Sequence, residues 1–272
     1  MKELRNKNAV LTGASRGIGP YIARALAEEG VNLALAARSA LELEAVAAEL
    51  AALGARAVAI PADVSDDAAR RSLLQQAEAQ LGPVDILVNN AGIEQVYSFA
   101  KQAPEEIARI INTNLVGSLL LTRQALPGML ERRRGHIVTI ASLAGKRGMA
   151  YIATYSATKA GLIEWTGALR AELEGTGVSA SVICPGFVAD AGMFAGYGRK
   201  APRLAGTVPP ARVAQAVVRA IRNDRGEVIV SPSPIRPLLA LNTAAPGLGA
   251  AIVRRMGVVR FFRAVAADRG GV

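Results

Sequence analysis

Short apolar runs of strand length recur seven times in the first 230 residues, and stretches long enough for a helix separate them. The runs are Asn8–Thr12, Val31–Ala37, Ala55–Pro61, Val84–Asn89, His136–Ala141, Val178–Cys184 and Glu227–Val230. Between them, segments such as Ala40–Leu53 and Asp66–Leu81 carry Ala, Leu, Glu and Arg in helix-forming patterns. Strands separated by helices are joined by right-handed crossovers, which make a parallel sheet covered on both faces. The expectation is an α/β chain with a doubly wound, seven-stranded parallel sheet. No linker rich in Pro, Ser or Gly splits the first 230 residues, so residues 1–232 read as one domain and 233–272 as an extension.

Apolar residues make up 51% of the 272, ample for a core, which excludes a disordered chain. Aromatics are only 4%, which argues against a base-stacking surface for nucleic acid. One cysteine, Cys184, excludes a disulfide framework, and one histidine, His136, argues against a structural zinc site. The first apolar stretch is short and runs into Gly13, which reads as no signal peptide and makes the cytoplasm the expected compartment. Net charge is +10, all of it at one end: residues 1–198 hold 19 basic and 19 acidic side chains, residues 199–272 hold 13 and 3. Segregation of this kind points to a negatively charged partner for the last quarter rather than to solubility tuning.

In open parallel sheets ligands bind beyond the carboxyl ends of the strands. The first run leads into Thr12-Gly13-Ala14-Ser15-Arg16-Gly17-Ile18-Gly19 at the mouth of a helix. Glycines there let the backbone approach a pyrophosphate, which the helix N-terminus stabilises. A carboxylate ending the second run would accept bonds from a ribose 2′-hydroxyl, but the run ends Ala36-Ala37-Arg38-Ser39. Arg38 and Arg16 instead suit a 2′-phosphate, so the expected cofactor is NADP(H).

With Asp63-Val64, Asn89-Asn90-Ala91-Gly92, Asn114, Ser142, Tyr155-Ser156-Ala157-Thr158-Lys159 and Pro185-Gly186, the pattern resembles the short-chain dehydrogenase/reductase family over roughly residues 8–230. The resemblance implies a Rossmann-type fold, a homodimer or homotetramer, and a tetrad of Asn114, Ser142, Tyr155 and Lys159. It implies cofactor contacts at Gly13, Ser15, Arg16, Gly17, Ile18, Gly19, Arg38, Asp63, Val64, Asn90, Ala91, Gly92, Pro185, Gly186 and Val188, besides Tyr155 and Lys159. Ser142 would hold the substrate oxygen beside Tyr155, and Asn114 would help hold a water that links to the lysine. Five residues after Pro185 the family often has a threonine; this chain has Asp190.

Tyr155 and Lys159 are spaced i, i+4, so on a helix they share a face. Taken alone, such a pair is a packed ring beside a solvated amine. Taken as a catalytic pair, the ammonium lowers the phenol's pKa toward neutrality and suits Tyr155 to general acid/base work. Apolar candidates on the substrate side are Ile93, Val96, Leu143, Met149, Phe187, Met193 and Phe194, with Met193 to Tyr197 in a Gly-containing stretch that reads as a mobile flap. The expected reaction is interconversion of a hydrophobic ketone or aldehyde and its alcohol. A cofactor-binding scaffold without turnover would have lost the serine, tyrosine or lysine, and none is lost. His136, Cys184, Trp165 and Arg132–Arg134 read as structural.

The extension holds 17 uncharged residues, Pro237 to Val253, too few and too interrupted for a spanning helix. Beyond them Arg254, Arg255, Arg260 and Arg263 interleave with Ile252, Val253, Met256, Val259, Phe261 and Phe262. Two readings stand: an interfacial segment making peripheral contact with anionic membrane, or an apolar face packed over the substrate pocket or a partner subunit.

Overall fold

The computed structural model describes residues 1–272. Its strands are β1 (Asn8–Thr12), β2 (Asn32–Ala37), β3 (Ala57–Pro61), β4 (Ile86–Asn89), β5 (Gly135–Ile140), β6 (Val178–Pro185) and β7 (Glu227–Val230). All pair in parallel, in the order β3-β2-β1-β4-β5-β6-β7. Every expected strand is present with ends within two residues. Val31 and Ala55 fall outside because their N–H groups bond back to Leu26 and Leu50, closing the preceding helices instead of joining the sheet.

Alternation along each strand decides which face each side chain enters. Ala9, Leu11, Leu33, Leu35, Ile86 and Val88 meet helices α1 (Gly19–Glu28), α2 (Ala40–Ala52) and, later in the chain, Pro210–Arg222. Val10, Ala34, Ala36, Leu87 and Ile137 face the other way, against α3 (Asp67–Leu81) and two later helices that carry Leu121, Met129 and Leu169. Each fully buried leucine is worth roughly 1.5–3 kcal/mol. An exposed pair such as Arg24–Glu28 is worth about 0–1 kcal/mol, so the two apolar layers hold the sheet.

The helical stretch from Pro104 to Glu131 is not one α-helix. It divides into α4 (Pro104–Ile111), a π-helical turn (Asn112–Val116) and α5 (Gly117–Glu131). The widened turn holds Asn114, which is completely buried. Then come α6 (Leu143–Lys146), α7 (Ala153–Glu172), α8 (Gly192–Ala195) and α9 (Pro210–Arg222). The extension forms α10 (Arg236–Ala244), α11 (Pro246–Arg255) and α12 (Val258–Asp268). Val253, Val258, Phe261, Phe262 and Val265 are buried in one cluster with Val96, Ile152, Tyr155 and Tyr197, while Arg254, Arg255, Arg260 and Arg263 stay exposed. Packing over the pocket accounts for these apolar side chains, and no helix is long and apolar enough to cross a membrane.

Candidate active site

Strand order reverses direction between β1 and β4, and the crevice above that switch opens into a cavity of about 1180 Å³. Thr12, buried behind it, ties its backbone walls together. The Thr12 hydroxyl accepts from the Asn90 and Ala91 N–H groups, each at 3.0 Å, and Asn90 Nδ2 donates to the Thr12 and Gly13 carbonyls at 2.9 Å. Gly13 has φ +63°, and a Cβ there would lie 2.9 Å from Ala91 Cα. A Cβ on Gly19 would lie 2.1 Å from the Gly13 carbonyl oxygen, so Gly19 sits behind the loop instead of lining the cavity. The loop is thereby pressed flat at the start of α1, a cradle shaped for phosphate oxygens.

Ser15, Arg16, Gly17 and Ile18 line one rim, and Arg38, Asp63 and Val64 the next. Arg16 and Arg38 are exposed. Burial pushes the Asp63 carboxyl up, but bonds from the Ser65 N–H and hydroxyl and the Arg38 charge outweigh it and hold the pKa low. Val64 is fixed through its carbonyl, which accepts from the buried Arg70 guanidinium at 2.7 Å. Asn90, Ala91, Gly92, Pro185, Gly186, Val188 and Asp190 complete this half, with Asp190 in the left-handed region at φ +55°.

The second half gathers Ser142, Tyr155 and Lys159. Ser142 caps α6, its Oγ accepting from the Ala144 N–H at 3.1 Å. Gly145 brings that helix against α7: a Cβ there would lie 2.5 Å from the Lys159 carbonyl carbon. Lys159 Nζ donates to the Ile140 carbonyl at 2.7 Å and lies 5.5 Å from the Tyr155 ring centroid. Asn114 stays behind the cavity wall. Its amide donates to the Ile93 carbonyl (2.9 Å) and Thr158 Oγ1 (3.2 Å), and its Oδ1 accepts from the Ile93 N–H (2.8 Å). The asparagine therefore clamps the backbone that leads out of β4.

One expectation is overturned. The phenol of Tyr155 is not lowered toward neutrality; burial raises its pKa, the Glu94 charge raises it further, and only the Ser142 hydrogen bond opposes them. Burial also brings Lys159 down to about 8, which weakens the ammonium that was to favour the phenolate. Tyr155 is thus held as a proton-bearing phenol.

Glu94 was not legible as a site residue. It keeps an accessible edge in the cavity, yet the protein packed around it pushes its carboxyl up to about 7, against the Tyr197 hydrogen bond and the charges of Arg269 and Lys159. Of the apolar candidates, Ile93, Leu143, Met149, Phe187, Met193 and Phe194 line the cavity, whereas Val96 is fully buried beneath it. Phe262, Val258, Val253, Leu238 and Leu239 of the extension add wall that the sequence left open. His136, Cys184 and Trp165 lie away from the cavity, His136 bonded to Ser181 across β5 and β6 at 2.8 Å.

Two buried groups set opposite pH trends. Burial lowers His136 from 6.5 to about 4, so the unfolded chain binds more protons there and stability rises with pH across that window. Glu94 is raised from 4.5 to about 7, so the folded chain binds more protons and stability falls as pH rises. Between pH 4.5 and 6.5 the two oppose each other. Urea midpoints at pH 5, 5.75 and 6.5 should therefore climb more steeply in Glu94→Gln than in wild type and fall in His136→Gln; parallel trends in the three proteins would refute the assignment.

A short chain dehydrogenase family model matches residues 7–201. The chain belongs to the short-chain dehydrogenase family. It is 47% identical to ketoacyl reductase HetN of Nostoc sp. strain PCC 7120, over 99% of this chain and 96% of that protein. Among solved structures it is similar to a variant actinorhodin polyketide ketoreductase with NADPH (TM-score 0.78, 33% identity, 85% of this chain and 98% of that one). It is also similar to a family member from Burkholderia phymatum in complex with NAD (TM-score 0.81, 27% identity, 91% and 96%). The glycine cradle fits the nicotinamide dinucleotide of a short-chain dehydrogenase family oxidoreductase.

Proposed function

We propose that this chain reduces an apolar carbonyl compound, with a ketoacyl group as the leading candidate, to the corresponding alcohol with NADPH. The observation that carries the reading is the cavity's divided lining, with Ser142, Tyr155 and Lys159 at one end and Leu143, Met149, Phe187, Met193, Phe194 and Phe262 around the rest. When bound, the nicotinamide supplies the hydride. Tyr155, kept protonated by burial, gives its proton to the substrate oxygen, and Ser142 holds the same oxygen in place. Lys159 places positive charge beside the phenol as oxyanion character develops, and its amine is the group that would hold the ribose hydroxyls of a bound cofactor. Asn114 fixes the Ile93 backbone and is the residue that would help hold a relay water to Lys159.

The HetN likeness over nearly the whole chain and the polyketide ketoreductase likeness favour an acyl-chain ketone over a steroid-like one. The test follows NADPH oxidation with acetoacetyl thioesters, aliphatic ketones, aldehydes and steroid ketones. Turnover of none of them above the Tyr155→Phe background would end this reading.

Preference for NADPH over NADH rests on Arg16 and Arg38, exposed on the cavity rim where a carboxylate would otherwise repel phosphate. A charge-assisted contact of this type is worth about 1.5–3 kcal/mol, so Arg38→Ala should weaken NADPH binding about 10- to 100-fold and leave NADH within about twofold. Equal wild-type affinities for the two cofactors, measured by fluorescence titration, would remove the preference. A homodimer or homotetramer belongs to the same reading, supported by Val116 and Leu120, which stay exposed on the outer side of the Pro104–Glu131 helical segment.

A further inference from the structure

Three segments distant in sequence meet over Tyr155: the loop after β4, the flap around α8, and the end of α12 with the residues that follow it. The Tyr197 hydroxyl of the flap donates to Glu94 of the loop. The Arg269 guanidinium lies 5.4 Å from the Tyr197 ring centroid and donates to the Gly196 carbonyl at 2.8 Å. Beside it, Arg199 of the flap makes two bonds to Asp268, at 2.6 and 2.9 Å. The strand of chain beyond α12 is itself tied to the loop. Tyr97 Oη donates to the Arg269 carbonyl at 3.0 Å, and the Ser98 N–H donates to the Gly271 carbonyl at 2.6 Å. Gly271 is pressed on the Tyr97 ring, where a Cβ would lie 2.7 Å from Cγ. Beneath these polar ties Phe194, Tyr197, Phe261 and Phe262 form one aromatic stack with centroid separations of 5.3–6.0 Å.

Glu94 is the hub of this arrangement. Its backbone neighbour Ile93 is clamped by Asn114, so the carboxylate projects from a fixed point, whereas Tyr197 lies just beyond the short helix α8 and meets Glu94 and Arg269 through its side chain. We propose that Glu94 is a positioning residue that, through Tyr197 and Arg269, sets how firmly the 192–199 flap closes over Tyr155. It acts on the flap and not on the reacting atoms.

The groups facing Glu94 are Tyr197 from the flap, Arg269 from the segment after α12, and Tyr155 and Lys159 from α7. Closure surrounds the carboxylate with protein and raises its proton affinity, so by linkage the closed flap takes up a proton and acid favours closure. An open flap returns Glu94 toward the ordinary carboxylate range.

The experiment is amide hydrogen exchange of peptides covering residues 190–204 in the full-length protein saturated with NADPH, corrected for the intrinsic pH dependence of exchange. It uses no substrate, so its outcome is independent of which carbonyl compound is reduced. Peptides from β6 serve as the folding control. In wild type, flap protection should fall about tenfold from pH 6 to pH 8, the effect of one linked proton. Glu94→Gln, which mimics the protonated form, should flatten that dependence and keep at pH 8 the protection seen in wild type at pH 6. Tyr197→Phe should cut protection by about tenfold at both pH values. A purely structural role for Glu94 would leave the pH dependence in place. The proposal is overturned if Glu94→Gln retains the wild-type slope, if wild type shows none, or if Tyr197→Phe leaves the flap as protected as before. Should Glu94→Gln lose β6 protection and so fail to fold, the wild-type slope and the Tyr197→Phe arm still decide.

Discussion

Tyr155→Phe should lower kcat by about 10²–10⁴, the range for loss of a positioned proton donor, while NADPH affinity changes by less than about twofold. The ring is buried and its packing against Ile152, Val96 and the α12 aromatics is preserved in phenylalanine, so the fold has no reason to respond. Only the hydroxyl that Ser142 engages is lost. Because burial raises the Tyr155 pKa, the wild-type rate of carbonyl reduction should also lack the alkaline rise that a required phenolate would give. Stopped-flow reduction of an acetoacetyl thioester measures both. A variant that retains more than about a tenth of wild-type turnover would take Tyr155 out of the chemistry.

Deleting residues 258–272 is expected to cost the protein its stable fold or its solubility. The deletion removes Val258, Phe261, Phe262 and Val265, all buried. At roughly 1.5–3 kcal/mol each their burial amounts to about 6–12 kcal/mol, comparable with the whole stability of an ordinary domain. It also uncovers Tyr197 and Phe187, which pack on them. The truncated chain should aggregate on expression or bind a hydrophobic dye strongly, and no NADPH-dependent turnover should remain. A soluble, active truncation that has lost affinity for anionic vesicles would instead assign these residues to a lipid surface.

The sheet was readable because short apolar runs separated by helix-length stretches are local signals, and each expected strand lies where the apolar run lies. The same is true of Gly13, Gly17, Tyr155, Lys159 and Ser142, which follow strands or share a helix face. Less local features were hidden. The π-helical turn at Asn112–Val116 has no distinctive residue pattern, since Asn-Thr-Asn-Leu-Val fits an ordinary helix equally well. Within that turn Asn114 makes two hydrogen bonds to the Ile93 backbone, a contact over 21 residues that no local pattern announces. Gly145 looked like one glycine among 27, and only the approach of α6 to Lys159 gives it meaning. Glu94 was invisible for a similar reason: an isolated glutamate reads as solvated until Tyr197 and Arg269 arrive from more than 100 residues away. The tyrosine's proton affinity was misjudged because spacing gives the distance to Lys159 but not the burial of both groups.

The division of labour along the chain has an evolutionary corollary. Residues that form the phosphate cradle and the Ser142, Tyr155 and Lys159 cluster all fall within the first 201 positions that the family pattern covers. Much of the wall facing them, including Leu238, Leu239, Val253, Met256, Val258 and Phe262, lies downstream of it. Drift or recombination in that later stretch can therefore reshape what the chamber admits without replacing Ser142, Tyr155 or Lys159.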